Sequence, residues 1–332
     1  MAAQNSSQYP YEACLIDGLS SDVQHQTLNI GNYIFRPLNF ILAFLAFVFN
    51  TLVIIAVART KSLQYPAMVM MCSLAVTDII FPLYSLYRYI ETFTHEHMCP
   101  AASYEHPLYF AISGLCTLAT LGNLAAISRD RYLAVRRPVW YRNHMKISRS
   151  FKTVCLPWLI SVVYAVLTYF SKRLSRVYTP MAAVFLLVLF PFYLSVITFC
   201  YLSIYCRKNI QVGNLNEALL KREKRLANTV AWILLILVLT YFPGLLFGGV
   251  LVAKGVNNLP FRPFYVIFIQ LNGVLNPLLN FSRIRKMRKA MRDLFRSHQQ
   301  LQSSSLANNN ITRATTIAPP ITTNPMQHQP QQ

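Results

Sequence analysis

Seven long, mostly apolar stretches constrain this chain more than any other feature. They lie at roughly 38–58, 64–87, 107–128, 153–171, 178–205, 226–252 and 263–282. Each holds about 20 residues or more, the length that covers about 30 Å of hydrocarbon at about 1.5 Å per residue. Backbone polar groups in lipid must be satisfied within the chain, so stretches of this length are expected to be helices. The expected fold is all-α, a polytopic membrane protein built as a seven-transmembrane helix bundle. Composition agrees, because 54% hydrophobic and 13% charged residues are too few charges to coat a soluble domain of 332 residues. A net charge of +20 would suit a nucleic-acid binder, but the apolar stretches exclude one and make the lipid bilayer the partner.

The basic residues give the expected orientation. Of the 31 Lys and Arg, 24 fall in the loops after stretches one, three and five and in the C-terminal tail. Positive charge stays on the cytoplasmic side, which places the N-terminus outside and the C-terminus in the cytoplasm. Glu12, Asp17, Asp22, Glu91, Glu96 and Glu105 all fall on the outer side. Residues 1–36 are expected to be an extracellular tail, with Asn5 in an Asn-Ser-Ser glycosylation triplet. No cleavable leader is expected, since the first 30 residues lack an apolar core. The membrane domain covers 37–282. An amphipathic eighth helix is expected at 283–296, with Ile284, Met287, Met291 and Leu294 on one face and Arg285, Lys286, Arg288 and Lys289 on the other. The polar segment 297–332 reads as a disordered cytoplasmic tail.

Asp78 is the one acid well inside any apolar stretch. A carboxylate there is expensive unless neutralised, paired or bound to a cation, so it marks a functional site by default. A protonated structural Asp is the alternative. Asn50, Thr120, Asn272 and Asn276 are the other mid-stretch polar residues that could converge on it, and their oxygens suit a hard cation.

The third stretch runs uncharged from Pro107 to Ser128 and then meets Arg129, Asp130, Arg131 and Tyr132. An Arg at the bilayer centre costs about 2.5–3.5 kcal/mol, so the cluster belongs at the membrane boundary. Asp130-Arg131-Tyr132 on the third of seven spans resembles the rhodopsin-like G-protein-coupled receptors. Asn50, Leu74-Ala75 with Asp78, Trp158, Pro191, Pro243 and Asn276-Pro277 follow the same pattern, each on the matching helix. The resemblance covers about residues 38–296. It implies a plasma-membrane receptor, not an enzyme, that binds an extracellular ligand and activates a heterotrimeric G protein by outward movement of span six. The implied switch is Asp130, Arg131, Tyr132, Glu223, Asn276 and Pro277, with Glu223 accepting a salt bridge from Arg131 at rest; a solvated charge run is the alternative for Glu223. A sodium ion is implied among Asp78, Thr120, Asn272 and Asn276, and no other cofactor. Arrestin is a candidate partner, with Ser303, Ser304, Ser305 and the Thr residues of the tail as candidate phosphorylation sites for its recruitment; an inert linker is the alternative.

The ligand is left open as a small molecule, lipid or peptide. Candidate contacts are Arg88, Tyr109, Phe110, Ser113, Thr117, Tyr241, Phe242 and Gln270. Span seven has Gln270 and no Lys, which excludes a retinal Schiff base there. Ser113 stands where the family's amine receptors place an Asp, so an amine lacks its counter-ion. Arg88 could hold a carboxylate or phosphate, or simply meet Glu91.

Other positions depart from the family. Tyr241 stands for the usual Trp, and Asn280 and Phe199 for two tyrosines that meet in active receptors. His106 stands for the usual Cys, leaving Cys14 and Cys99 as a candidate extracellular disulfide or as two free thiols. These departures keep an atypical or ligand-independent receptor with weak coupling as the alternative. A transporter is more remote, because there is no internal repeat and no charged pathway beyond Asp78.

Overall fold

The computed structural model describes residues 20–93, 107–173, 178–205, 262–294 and 296, with positions 228, 232, 235 and 239 of the sixth apolar stretch. Every regular element among the described residues is helical. Span one is Arg36–Arg59, span two Pro66–Phe93 and span three Pro107–Arg136. Span four is Ile147–Arg173, span five Tyr178–Tyr205 and span seven Arg262–Arg283. The four described positions of the sixth stretch are helical too. Prolines open spans two and three at their first residue, where a missing N–H costs nothing. Other prolines lie inside helices: Pro191 and Pro277 as expected, and also Pro82 and Pro157. Pro243 lies outside the described residues.

Among the described residues, four helices are long and apolar enough to cross a membrane: Ser21–Arg59, Pro66–Glu91, Pro107–Arg136 and Ile147–Ser171. Shorter apolar pieces, Val188–Ile204 and Val266–Ser282, lie within spans five and seven. Span three is the central post, packed against spans two, four and five. Its small residues set how closely the neighbours approach. A Cβ on Gly122 would sit 2.5 Å from Pro157 Cβ, and one on Gly114 would strike the Tyr164 ring. Small residues that let membrane helices close on one another are a general packing device.

Two segments differ from expectation. The helix begins at Ser21, well inside the segment read as a tail, and runs through a single π turn at Gly31–Phe35 into span one. Residues 21–30 are polar, so hydropathy gives no sign of this helix. Tertiary contacts hold it: Leu28 is buried in an apolar cluster with Phe81 and Tyr109, and Phe35 packs 4.4 Å from Phe264. A short helix, Pro138–His144, also fills the loop after span three.

The chain divides into two compact units, Met1–Arg288 and Lys289–Gln332. The helix at 285–294 is amphipathic, with Met287 and Ala290 buried and Arg285, Lys286, Arg288 and Lys289 exposed.

Candidate functional site

The Asp-Arg-Tyr triplet closes the C-terminal end of span three, and its charges are enclosed. Asp130 is 1% exposed and Arg131 3%. Arg131 folds its long side chain back along the helix, donating through Nε to Asp130 Oδ2 at 3.0 Å and pairing with the same oxygen through Nη2. Tyr141, on the short helix Pro138–His144, completes the arrangement. Its hydroxyl donates to Asp130 Oδ1 at 3.0 Å and accepts from Arg131 Nη2 at 3.2 Å. Removing one member of such a buried pair strands the other charge, at about 3–5 kcal/mol. Tyr132 turns away, its ring 5.9 Å from that of Phe199. Glu223 lies outside the described residues. Sequence reasoning missed Tyr141; the available signal was Pro138 at the start of a helix of about two turns that carries Tyr141 back toward span three.

Midway along the bundle, Asn276 Nδ2 donates to Asp78 Oδ2 at 2.7 Å, joining span seven to span two. The expected convergence is otherwise incomplete. Thr120 shares its hydrogen bond with Thr77 at 3.0 Å rather than with Asp78. Asn50 holds span seven instead of Asp78, donating to the Gly273 carbonyl at 2.8 Å and to Ala46 in its own helix. Asn272 is buried, and the carbonyl oxygens of Asn272 and Asn276 have no hydrogen-bond partner among the described residues. Asn276 carries one such oxygen on the side chain bonded to Asp78, and amide oxygens with a carboxylate are the donor types that suit a hard cation. Nearby, Trp158 Nε1 donates to Ser73 Oγ, which donates to Asn123 Oδ1, both at 2.9 Å. This chain ties spans four, two and three. Trp158 was legible as a motif, but Ser73 and Asn123 look like ordinary helix residues.

The end of the bundle opposite Arg131 is aromatic. Tyr109 is buried against Phe81, with ring centroids 5.8 Å apart, and Tyr84 lies 6.2 Å from Tyr109. Phe110 meets Tyr109 edge-on at 6.4 Å. Tyr87 points outward. Two expected polar contacts are spent within span three: Ser113 donates to the Phe110 carbonyl at 3.2 Å and Thr117 to the Ser113 carbonyl at 2.8 Å. Arg88 pairs with Glu91, which lies on the same helix three residues on rather than in a loop. Gln270 is fully buried. Tyr241, Phe242, Cys14, Cys99 and Asn5 lie outside the described residues.

Known proteins match this arrangement. Residues 49–280 match the 7 transmembrane receptor (rhodopsin family). The chain is 32% identical over 117 residues to 5-hydroxytryptamine receptor 2B of Mus musculus, a segment covering 35% of this chain and 24% of that receptor. It is 27% identical over 113 residues to 5-hydroxytryptamine receptor 2C of Homo sapiens, covering 34% and 25%. The match thus spans about a quarter of the length of these relatives. The crystal structure of squid rhodopsin superimposes with a TM-score of 0.66 at 22% identity, over 79% of this chain and 85% of that one. At that identity the likeness speaks for the fold, a seven-helix membrane bundle. The family match covers most of the chain, including Asp78, the Asp-Arg-Tyr triplet and Asn276-Pro277. This chain belongs to the rhodopsin family of seven-transmembrane receptors.

Proposed function

We propose that the chain is a plasma-membrane receptor, N-terminus outside, that binds an extracellular ligand at its aromatic end and activates a heterotrimeric G protein at the other. The observation that carries this reading is the enclosure of Arg131 by Asp130 and Tyr141. A guanidinium held out of water at a helix end is a stored contact: once released, it meets a partner on the cytoplasmic face, and exposed Val139 packs beside it. A ligand that prefers the released form shifts the population by its difference in affinity, and the G protein is coupled reciprocally. Span six moves outward, freeing Arg131 from Glu223 as well. Arrestin binds the phosphorylated tail at Ser303, Ser304 and Ser305.

A sodium ion would be held by Asp78, Thr120, Asn272 and Asn276, supplying positive charge that offsets the buried carboxylate. A biogenic amine is disfavoured as the ligand, although the relatives above are named for one. Ser113 offers a hydroxyl, already bonded to its own helix, where an amine needs a carboxylate.

The test is second-messenger output from the full chain with and without Arg131→Ala. A parent signal that the variant loses supports the reading; equal output at matched surface expression removes it. A second reading, an atypical receptor with weak coupling, rests on Asn280 and Phe199. Asn280 is buried with its carbonyl oxygen unpartnered among the described residues, and Phe199 is 60% exposed. Neither offers the hydroxyl that the family's tyrosines would.

A further inference from the structure

Span seven carries an amide that no described residue answers. Gln270 is 0% exposed, and neither its Nε2 nor its Oε1 has a hydrogen-bond partner among the described residues. Its neighbours on the helix fix the direction it faces. Val266, one turn earlier, packs in the apolar cluster with Phe81 and Tyr89. Gly273, nearly one turn later, lies against Ala46 and Asp78. Residues spaced i, i+4 and i+7 share one stripe of a helix, so Gln270 is turned toward spans one and two, between that cluster and Asp78. Span two presents a second unanswered group there. Ser85 follows Phe81 by one turn, is buried, and its hydroxyl also lacks a partner among the described residues.

Native interiors leave few polar groups in this condition, and each one destabilises the arrangement that encloses it. An arrangement in which the amide is answered is favoured over this one. The partner that answers it must offer an acceptor to Nε2 and a donor to Oε1. Charge narrows the class further. Glu91 is taken by Arg88, Asp22 is exposed on the N-terminal helix, and Asp78 accepts from Asn276. Among the described residues a cation entering here finds only Asp78, whose charge the sodium ion of the reading above already offsets.

We propose that Gln270 is the polar anchor for an uncharged ligand with adjacent donor and acceptor, such as a carboxamide, that inserts between spans one, two and seven. This rests on the receptor reading and names the ligand class of the same end of the bundle. Binding answers the amide and so favours whichever arrangement admits the ligand, which is the differential affinity a ligand needs to shift a population.

The test is thermal melting of the full-length chain in lipid nanodiscs, which needs no G protein. A failure here therefore leaves the Arg131→Ala result standing, and silence in that experiment leaves this one readable. The probes are benzamide, benzoate and benzylamine, matched in size and differing in charge. Gln270→Met, an apolar side chain of similar shape, is expected to melt about 2 °C or more above the parent. Benzamide is expected to raise the parent's midpoint, benzoate and benzylamine to leave it unchanged, and Gln270→Met to lose the benzamide shift. The proposal is overturned by a lower midpoint or failure to fold in Gln270→Met. It is also overturned by comparable shifts from the charged probes, by no shift from benzamide, or by a benzamide shift that survives in Gln270→Met.

Discussion

The hydroxyl of Tyr141 lies 3.0 Å from Asp130 Oδ1, so a loop residue holds the acid that holds Arg131. Asp130 and Arg131 are adjacent, and one helix alone could keep them paired in any state of the bundle. The contact from Pro138–His144 makes the pair sensitive to where that loop helix sits.

Tyr141→Phe keeps the ring and deletes the hydroxyl. Hydrogen bonds to charged groups contribute about 1.5–3 kcal/mol, and even part of that lost from the resting form raises the active fraction several-fold. Ligand-free second-messenger output should rise by about that factor at matched surface expression. Unchanged output would mean that Tyr141 does not help restrain Arg131.

Glu223→Ala should raise ligand-free output as well. Arg131 is buried, so its ion pair is not of the exposed kind that contributes only about 0–1 kcal/mol, and the rise should be several-fold. Because both act on one guanidinium, the double variant should depart from additivity. Strictly additive logarithms of output would place the two residues on separate switches.

Sodium should stabilise the parent chain through Asp78. Melting in sodium chloride against choline chloride at equal ionic strength isolates the ion from general screening. The parent's midpoint should be higher in sodium, and Asp78→Asn should abolish the difference. The same sodium shift in both proteins would dismiss a cation at that carboxylate.

The two glycines of span three should tolerate a methyl group unequally. At Gly122 the added carbon lies 2.5 Å from Pro157 Cβ, part of a rigid ring on a buried helix face. At Gly114 it meets the Tyr164 ring, which can turn. Overpacking costs about 1–3 kcal/mol where neighbours cannot yield. Gly122→Ala should therefore melt well below Gly114→Ala, and the reverse order would show that spans three and four separate more easily at Pro157.

The membrane spans and the Asp78–Asn276 pairing were legible in the sequence because lipid imposes a harsh rule: length and polarity suffice to see both. Asn50 and Thr120 were legible as buried polar residues but not as to partner. Each could bond to a neighbouring helix or to a backbone carbonyl, and only packing decides. Ser73 and Asn123 were invisible for a different reason, and for Tyr141 only Pro138 marked the helix that carries it. Nothing in composition separates a tyrosine or serine that completes a network from one that fills space. The helix that begins at Ser21 escaped because its support comes from Leu28 and Phe35 packing on distant residues.

That early start has a mechanical consequence. From Ser21 to Arg59 the helix runs 39 residues, about 58 Å at 1.5 Å per residue and nearly twice the hydrocarbon thickness. Span one is thus a long lever pivoted in lipid, with Leu28 pressed against the same cluster as Tyr109. A tilt of about 5° about the middle of the membrane displaces its tip by roughly 3–4 Å, so a small rearrangement among the aromatic side chains would be written large at Ser21, where a fluorescent label could follow it.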